Sequence, residues 1–286
     1  MQDRNTRTTR SVLLTLSVMI LLIGSTVPSA TVPCVIGKNR SPEGTQARAR
    51  ELWEQAIFAK GGRERLYAVN NLQISIRDSV SQKGKRAPYI EEDLYVFPNK
   101  SWEWNDQRET IFGFSLRVFN GDRNRHLWYS DHGKGGSVGT PTDYVGGRSG
   151  LIGLYDIQLR YLMETRWVKP IPIRVEKGKI GGRPVDIVQT LVKGYPTRDG
   201  DDEEKIGFAL DPQTHLPLQV IYYTVTSDKE YSGGVPLSDY TEVAGIKMPS
   251  KVSSLRSSYQ INVDYDRRIF EQPPNVEAGI EQWKTK

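Results

Sequence analysis

Several places in this sequence gather residue types that can do chemistry. Ser130-Asp131-His132 supplies a hydroxyl, a carboxylate and an imidazole, the ingredients of nucleophilic acyl transfer. A triad is assembled by the fold from separate segments, however, and neighbours on an extended chain point to opposite faces, so the run reads as the polar end of a hairpin. His126 and His132 with Asp131 offer three metal-ligand groups, but three histidines and one cysteine in 286 residues leave little material for a closed coordination shell. Asp199, Asp201 and Asp202 carry the oxygen ligands that calcium prefers, without the glycine and distal glutamate of an EF-hand loop, and read as a solvated acidic hairpin tip. Gly146-Gly147-Arg148-Ser149-Gly150 precedes a helical pattern and could offer backbone N–H groups to an anion, although a connector is the plainer reading. Neither H-E-x-x-H nor G-x-x-x-x-G-K occurs. No catalytic residue, metal or cofactor is expected on these grounds.

The aromatic and aliphatic residues are more informative. Leu72, Ile74 and Ile76 alternate with Gln73, Ser75 and Arg77, while Trp102 and Trp104 alternate with Ser101 and Glu103. Phe112, Phe114, Leu116 and Val118 repeat the two-residue period that marks one face of a strand. The expectation is that Leu72, Ile74, Ile76, Trp102, Trp104, Phe112, Phe114 and Leu116 project from one side of a curved sheet and form a ligand-binding apolar face. Burying one such side chain is worth ~1.5–3 kcal/mol, so that face must be covered. The cover is either helices alone or helices enclosing a hydrophobic guest.

The elements that would position these residues follow from spacing. Ser41-Pro42-Glu43 is a helix start, Leu52, Trp53, Ala56 and Ile57 make an apolar stripe, and Gly61-Gly62 is a stop. Strands are expected through the segments containing Leu72–Ile76, Tyr89–Phe97, Trp102–Trp104, Phe112–Val118 and His126–Ser130, joined by turns too short for helical crossovers. Residues 132–150 hold seven glycines and no apolar period, which predicts a long Gly-rich loop inserted in the domain. A helix is expected over Leu151–Arg166, then strands again to Tyr265.

Before this lies a three-part leader: Arg-rich to Arg10, apolar from Val12 to Ile23, small and Pro-broken to Ala30. That order describes a signal peptide at 1–30, with an uncleaved anchor as the alternative, and places the protein in the periplasm or cell envelope. Cys34 follows Pro33 too far beyond the apolar run to read as a lipidation site. Residues 31–44 read as a linker, 45–274 as a single domain and 275–286 as a tail. The formal charge of +5 includes three arginines and one aspartate at the extreme N-terminus, and the other basic residues are interspersed with acidic ones. A nucleic-acid partner is therefore not expected.

Four stretches carry a family likeness. They are Ala59-Lys60-Gly61-Gly62 running through Leu66 into a strand; Val118-Phe119-Asn120-Gly121 followed by Trp128; Phe208 to Thr214 with Leu216-Pro217-Leu218; and Gly245-Ile246-Lys247-Met248-Pro249 with Ile269-Phe270 and Pro273. In these the chain resembles the lipoprotein-localisation-factor superfamily, the LolA/LolB-like periplasmic carriers. The resemblance implies a mostly β (α+β) fold, an unclosed antiparallel β half-barrel with helices packed on its concave face. It also implies a non-enzymatic carrier for an acyl chain, a lipoprotein or another hydrophobic ligand, with transient membrane contact. The chain departs from the compact carriers by its length and its Gly-rich 132–150 segment, and no acyl-handling residue can be matched. Two other readings stay open: a sensor or protein-interaction domain with a filled core, and an envelope hydrolase.

Overall fold

The computed structural model describes residues 42–82, 85–107, 113–121, 124–130, 133–139, 149–196, 201–225 and 230–271. The expected leader, most of the linker and the tail lie outside the described residues, as do Phe112, Asp131, His132 and Asp199.

Helix α1 (Pro42–Lys60) begins inside the stretch expected to be linker. Ala49, Leu52, Trp53, Ala56, Ile57 and Lys60 recur at helical intervals and are all buried, whereas Arg48, Arg50, Glu51 and Glu54 face solvent. The helix stops at Gly61, whose φ of 126° is a conformation that side-chain-bearing residues rarely adopt. A Cβ there would lie 2.3 Å from the Gly245 carbonyl oxygen, so the missing side chain also lets the helix end close on that turn. A short helix α2 (Arg63–Tyr67) buries Leu66 and leads into the sheet.

Six strands follow: β1 (Asn71–Gln82), β2 (Lys85–Val96), β3 (Lys100–Gln107), β4 (Gly113–Phe119), β5 (Asn124–Ser130) and β6 (Gly133–Gly139). Helix α3 (Ser149–Ile157) runs directly into a π turn (Gln158–Leu162). Seven more strands come next: β7 (Ile171–Ile180), β8 (Arg183–Pro196), β9 (Asp201–Leu210), β10 (Pro217–Val225), β11 (Glu230–Val243), β12 (Ile246–Val252) and β13 (Leu255–Ile261). A single turn, α4 (Arg268–Glu271), closes the described chain.

All thirteen strands belong to one sheet ordered β6-β5-β4-β3-β2-β1-β13-β12-β11-β10-β9-β8-β7. Each pair is antiparallel, so the sheet is two meanders fused where β1 pairs with β13, and among the described residues β6 and β7 form unclosed edges. The sheet cannot be flat. Helix α3 touches both β3 and β8, which stand eight ladder steps apart. At ~4.8 Å per step these strands would lie ~38 Å from each other in a flat sheet, several helix diameters. The sheet therefore curls around α3, and α1 packs beside it on β7, β8 and β12. This is the expected half-barrel with helices on its concave side.

Two local expectations are corrected. The segment 133–139 is not loop: it is strand β6, paired along its length with β5. Backbone hydrogen bonds to the β5 edge need no side chains, so apolar periodicity could not reveal them. Asp201 and Asp202, expected in an acidic loop, stand in β9 opposite Pro196 and Tyr195.

Candidate functional site

The pairing register decides which residues face the helices. Ile74 pairs with Tyr259 on one side and Asp93 on the other; Asp93 pairs with Glu103, Glu103 with Arg117, and Arg117 with His126. One row of the concave face thus passes from apolar to charged: Tyr259, Ile74, Asp93, Glu103, Arg117, His126. The next row places Glu91 beside Ile76 and Asn105 beside Glu91.

Leu72, Ile74 and Ile76 take their expected place in the main core with α1 and the π turn. Trp102, Trp104 and Leu116 do not join them. Because Trp102 pairs with Leu94 and Val118, and Trp104 with Glu92 and Leu116, these residues occupy the opposite, convex face. There Trp102 and Leu116 pack against Leu94, Val118 and Phe270, beneath the C-terminal residues Val263, Tyr265 and Ile269. The shared-face expectation fails for a physical reason: both faces of these strands are covered, so apolar alternation alone does not say which one points inward. Phe114 holds the ladder position opposite Asp106 and Tyr129. Phe112 is outside the described residues.

The charged row is held by short-range hydrogen bonds. Tyr95 donates its hydroxyl to Asp93 Oδ2 at 3.0 Å, and Tyr89 donates to Glu91. Asn105 donates to the Tyr89 hydroxyl at 3.0 Å and to Glu91 at 3.3 Å. Arg117 Nη1 reaches Glu103 at 3.3 Å, and the Ser101 hydroxyl donates to the same carboxylate at 2.9 Å. Burial, reinforced by Glu91 and Glu103, pushes the Asp93 carboxyl well above the usual carboxylate range. Burial and then Arg117 hold His126 down to about 4, which keeps its imidazole neutral.

Opposite this row the π turn carries Arg160 and Tyr161. Tyr161 packs against Tyr259 with ring planes tilted by 59° and centroids 5.5 Å apart, and it lies near Glu91 and Asp93. Arg160 is bordered by Tyr222, Tyr161 and Asp156; burial opposes its charge, yet these neighbours hold it above the ordinary arginine value. Burial pushes Asp156 up to about 6, against the pull of Arg160 and of the Tyr195 hydroxyl, which donates to it at 2.6 Å. Glu204, close by, is pushed up to about 7 by burial and then by Asp156 and Asp202. The π turn is pinned from below: Lys60 Nζ donates to the carbonyls of Tyr161, at 2.7 Å, and of Lys247.

The buried polar seam of Asp93, Arg160, Tyr161 and Tyr222 has little signature in the sequence. Asp156, Gln158 and Arg160 interrupt an otherwise apolar helical face, which is the one signal that could have pointed to it. Gly135-Gly136-Ser137-Val138-Gly139 matches the G-x-S-x-G string, but it lies within β6 with Ser137 paired to His126. A nucleophile elbow needs a strand-to-helix turn, so the match has no catalytic meaning here. Among the described residues no group of three or more His, Cys, Asp or Glu is placed to hold a metal ion.

No protein-family model matches the chain, and no curated protein matches its sequence. Among solved structures it is similar to a DUF1329 family protein from Desulfovibrio piger, with a TM-score of 0.46 at 10% identity over 78% of this chain and 97% of that one. It is similar to a LolA superfamily protein from Nitrosomonas europaea, with a TM-score of 0.42 at 13% identity over 78% and 97%. A third is an outer membrane lipoprotein-sorting protein domain from Vibrio parahaemolyticus, with a TM-score of 0.40 at 12% identity over 80% and 97%.

Proposed function

We propose that this chain is an exported, non-enzymatic binding protein that shelters a hydrophobic molecule bearing an acyl chain between α3 and the concave face of its open sheet. The observation that supports the reading is the incomplete cover of that face. Leu151, Ile152 and Tyr155 on α3, Tyr222 on β10 and Val235 on β11 pack against the main core yet remain only half-buried. Apolar groups in such a setting gain from a guest that removes them from water, at roughly 25 cal/mol per Å² of area covered. Uptake is then passive: the guest replaces water along the helix–sheet seam and leaves when the helices part.

Binding of a pyrene-labelled fatty acid to the purified protein tests this directly. A saturable signal that weakens when Val235→Trp fills the seam, with the melting temperature unchanged, is the expected result. A protein that binds no acyl probe is instead the sensor or interaction domain, a reading favoured by the complete burial of Leu72 and Ile74. Export is tested separately, by N-terminal sequencing of envelope material, which should begin near Ala30 or Thr31.

A further inference from the structure

We propose that Arg160 and Tyr222 form an anion subsite that receives the charged head of an amphiphile, a carboxylate or a phosphate monoester, while its chain lies along the half-buried residues of α3, β10 and β11. The proposal rests on the carrier reading above and deepens it by giving the ligand a polar end.

Arg160 Nε and the Tyr222 hydroxyl are both enclosed, and neither has a hydrogen-bond partner of good geometry in the protein. The guanidinium does lie close enough to the Tyr222 and Tyr161 hydroxyls for hydrogen bonding as well as charge to act between them, while Asp156 acts on it through charge alone. Asp156 is the natural counter-ion, yet its Oδ1 is engaged by the Tyr195 hydroxyl at 2.6 Å, and no ion pair joins it to Arg160. A guanidinium has five N–H donors in a rigid fork and no acceptor. Leaving one of those donors, Nε, enclosed without an acceptor and the charge without a bonded carboxylate is costly, so native proteins rarely do so without a reason. Arg160 and Tyr222 have a use in common: both can donate to one anionic oxygen.

The backbone that carries Arg160 supports the same reading. The side chain stands on a π turn, whose wider winding is uncommon and recurs at functional sites. The carbonyl of the next residue, Tyr161, accepts from the buried Lys60 ammonium at 2.7 Å, so the backbone that carries Arg160 is held in place. Tyr222 is also one of the half-buried residues that border the proposed chain seat, so head and tail would meet at a single side chain. A carboxylate or phosphate at this point gives a charge-assisted partner to a cation that has only hydroxyl groups to bond with, and such a pair is strongest where water is excluded.

Displacement of the neutral dye N-phenyl-1-naphthylamine from the full chain tests the proposal with three competitors of equal chain length: hexadecanoate, hexadecyl phosphate and hexadecanol. The wild type should release the dye at anion concentrations about tenfold or more below that of the alcohol, the factor expected for hydrogen bonds to a charged group. Whichever anion is favoured distinguishes a carboxylate head from a phosphate head. Arg160→Met should abolish the preference and leave alcohol displacement unchanged. Tyr222→Phe, which removes one oxygen and keeps the ring, should reduce the preference part-way and serves if Arg160→Met does not fold. Equal displacement by all three in the wild type, or an anion preference that survives in a folded variant, overturns the subsite and leaves the carrier reading standing. A wild type from which no dye signal and no competitor effect is obtained overturns both.

Discussion

Glu164, just past the π turn, offers a sharp test of how the helices are fastened to the sheet. Its carboxylate accepts from the Trp53 indole N–H at 2.9 Å, from Arg63 Nε at 2.8 Å and from the Tyr67 hydroxyl. One acid thus ties α1 and α2 to the segment that follows Arg160. In Glu164→Ala, Trp53 remains 2% exposed and loses its acceptor, a stranded donor that costs ~1–3 kcal/mol. The Tyr67 hydroxyl adds about 1 kcal/mol. Arg63 adds little, because its side chain is 40% exposed and keeps its second pair with Glu54 at 2.9 Å. The expected loss is ~3 kcal/mol in urea denaturation with an unchanged m value. Glu164→Gln, which keeps an acceptor but no charge, should lose about half of that. Burial opposes the charge of Glu164, but the bonds from Arg63, Tyr67 and Trp53 outweigh it and hold its carboxyl below the ordinary value of 4.5. The folded pKa is depressed, so this stabilisation is complete above pH 4.5 and disappears as pH falls through the folded value. The acid limb of the stability curve should therefore be shallower in Glu164→Gln than in the wild type. A loss under about 1 kcal/mol for Glu164→Ala, together with an unchanged acid limb for Glu164→Gln, would refute the reasoning.

Two further outcomes follow from neighbouring features. Burial holds the Lys60 ammonium down to about 7 from 10.5, so the unfolded chain binds more protons between those values and wild-type stability should rise with pH across that window. Lys60→Met should remove that slope, while leaving the carbonyls of Tyr161 and Lys247 without their donor; a slope that persists in the variant would show that another group titrates. Phe270→Ala should uncover Trp102 on the convex face, shift tryptophan emission to the red and cost ~3–5 kcal/mol, with fatty-acid binding unchanged because the concave face is untouched. Loss of probe binding in a stable Phe270→Ala protein would contradict the assignment of faces.

The architecture was more legible than the site. Period-two alternation in Leu72–Ile76 and the stripe Leu52, Trp53, Ala56 and Ile57 each reflect burial on one side, and each side chain is where its spacing requires. Trp102 and Leu116 show the limit of the same rule. Period two assigns residues to a face of a strand but not a face to the core, and the deciding fact is the pairing of Trp102 with Leu94, a contact between strands. Strand β6 was hidden because glycines make a ladder through backbone alone. The polar seam was hidden because its members are separated in sequence by up to 129 positions, from Asp93 to Tyr222, and meet only when the sheet curls.

The pairing of β1 with β13 has a consequence for how the chain reaches this state. Each meander is built from neighbouring strands and can form by short loop closures, but Ile74 meets Tyr259 only after a separation of 185 residues has been closed. Contacts of such long range are the slow ones in folding. The first six strands must therefore wait, with the β1 edge and its row of unpaired backbone groups open, until the last strand has been synthesised. An open edge of alternating apolar residues is a template for pairing with other chains. Under the export proposed above, that interval is useful rather than hazardous where a chaperone holds the chain, since a chain that cannot close its seam early remains unfolded and able to cross a membrane.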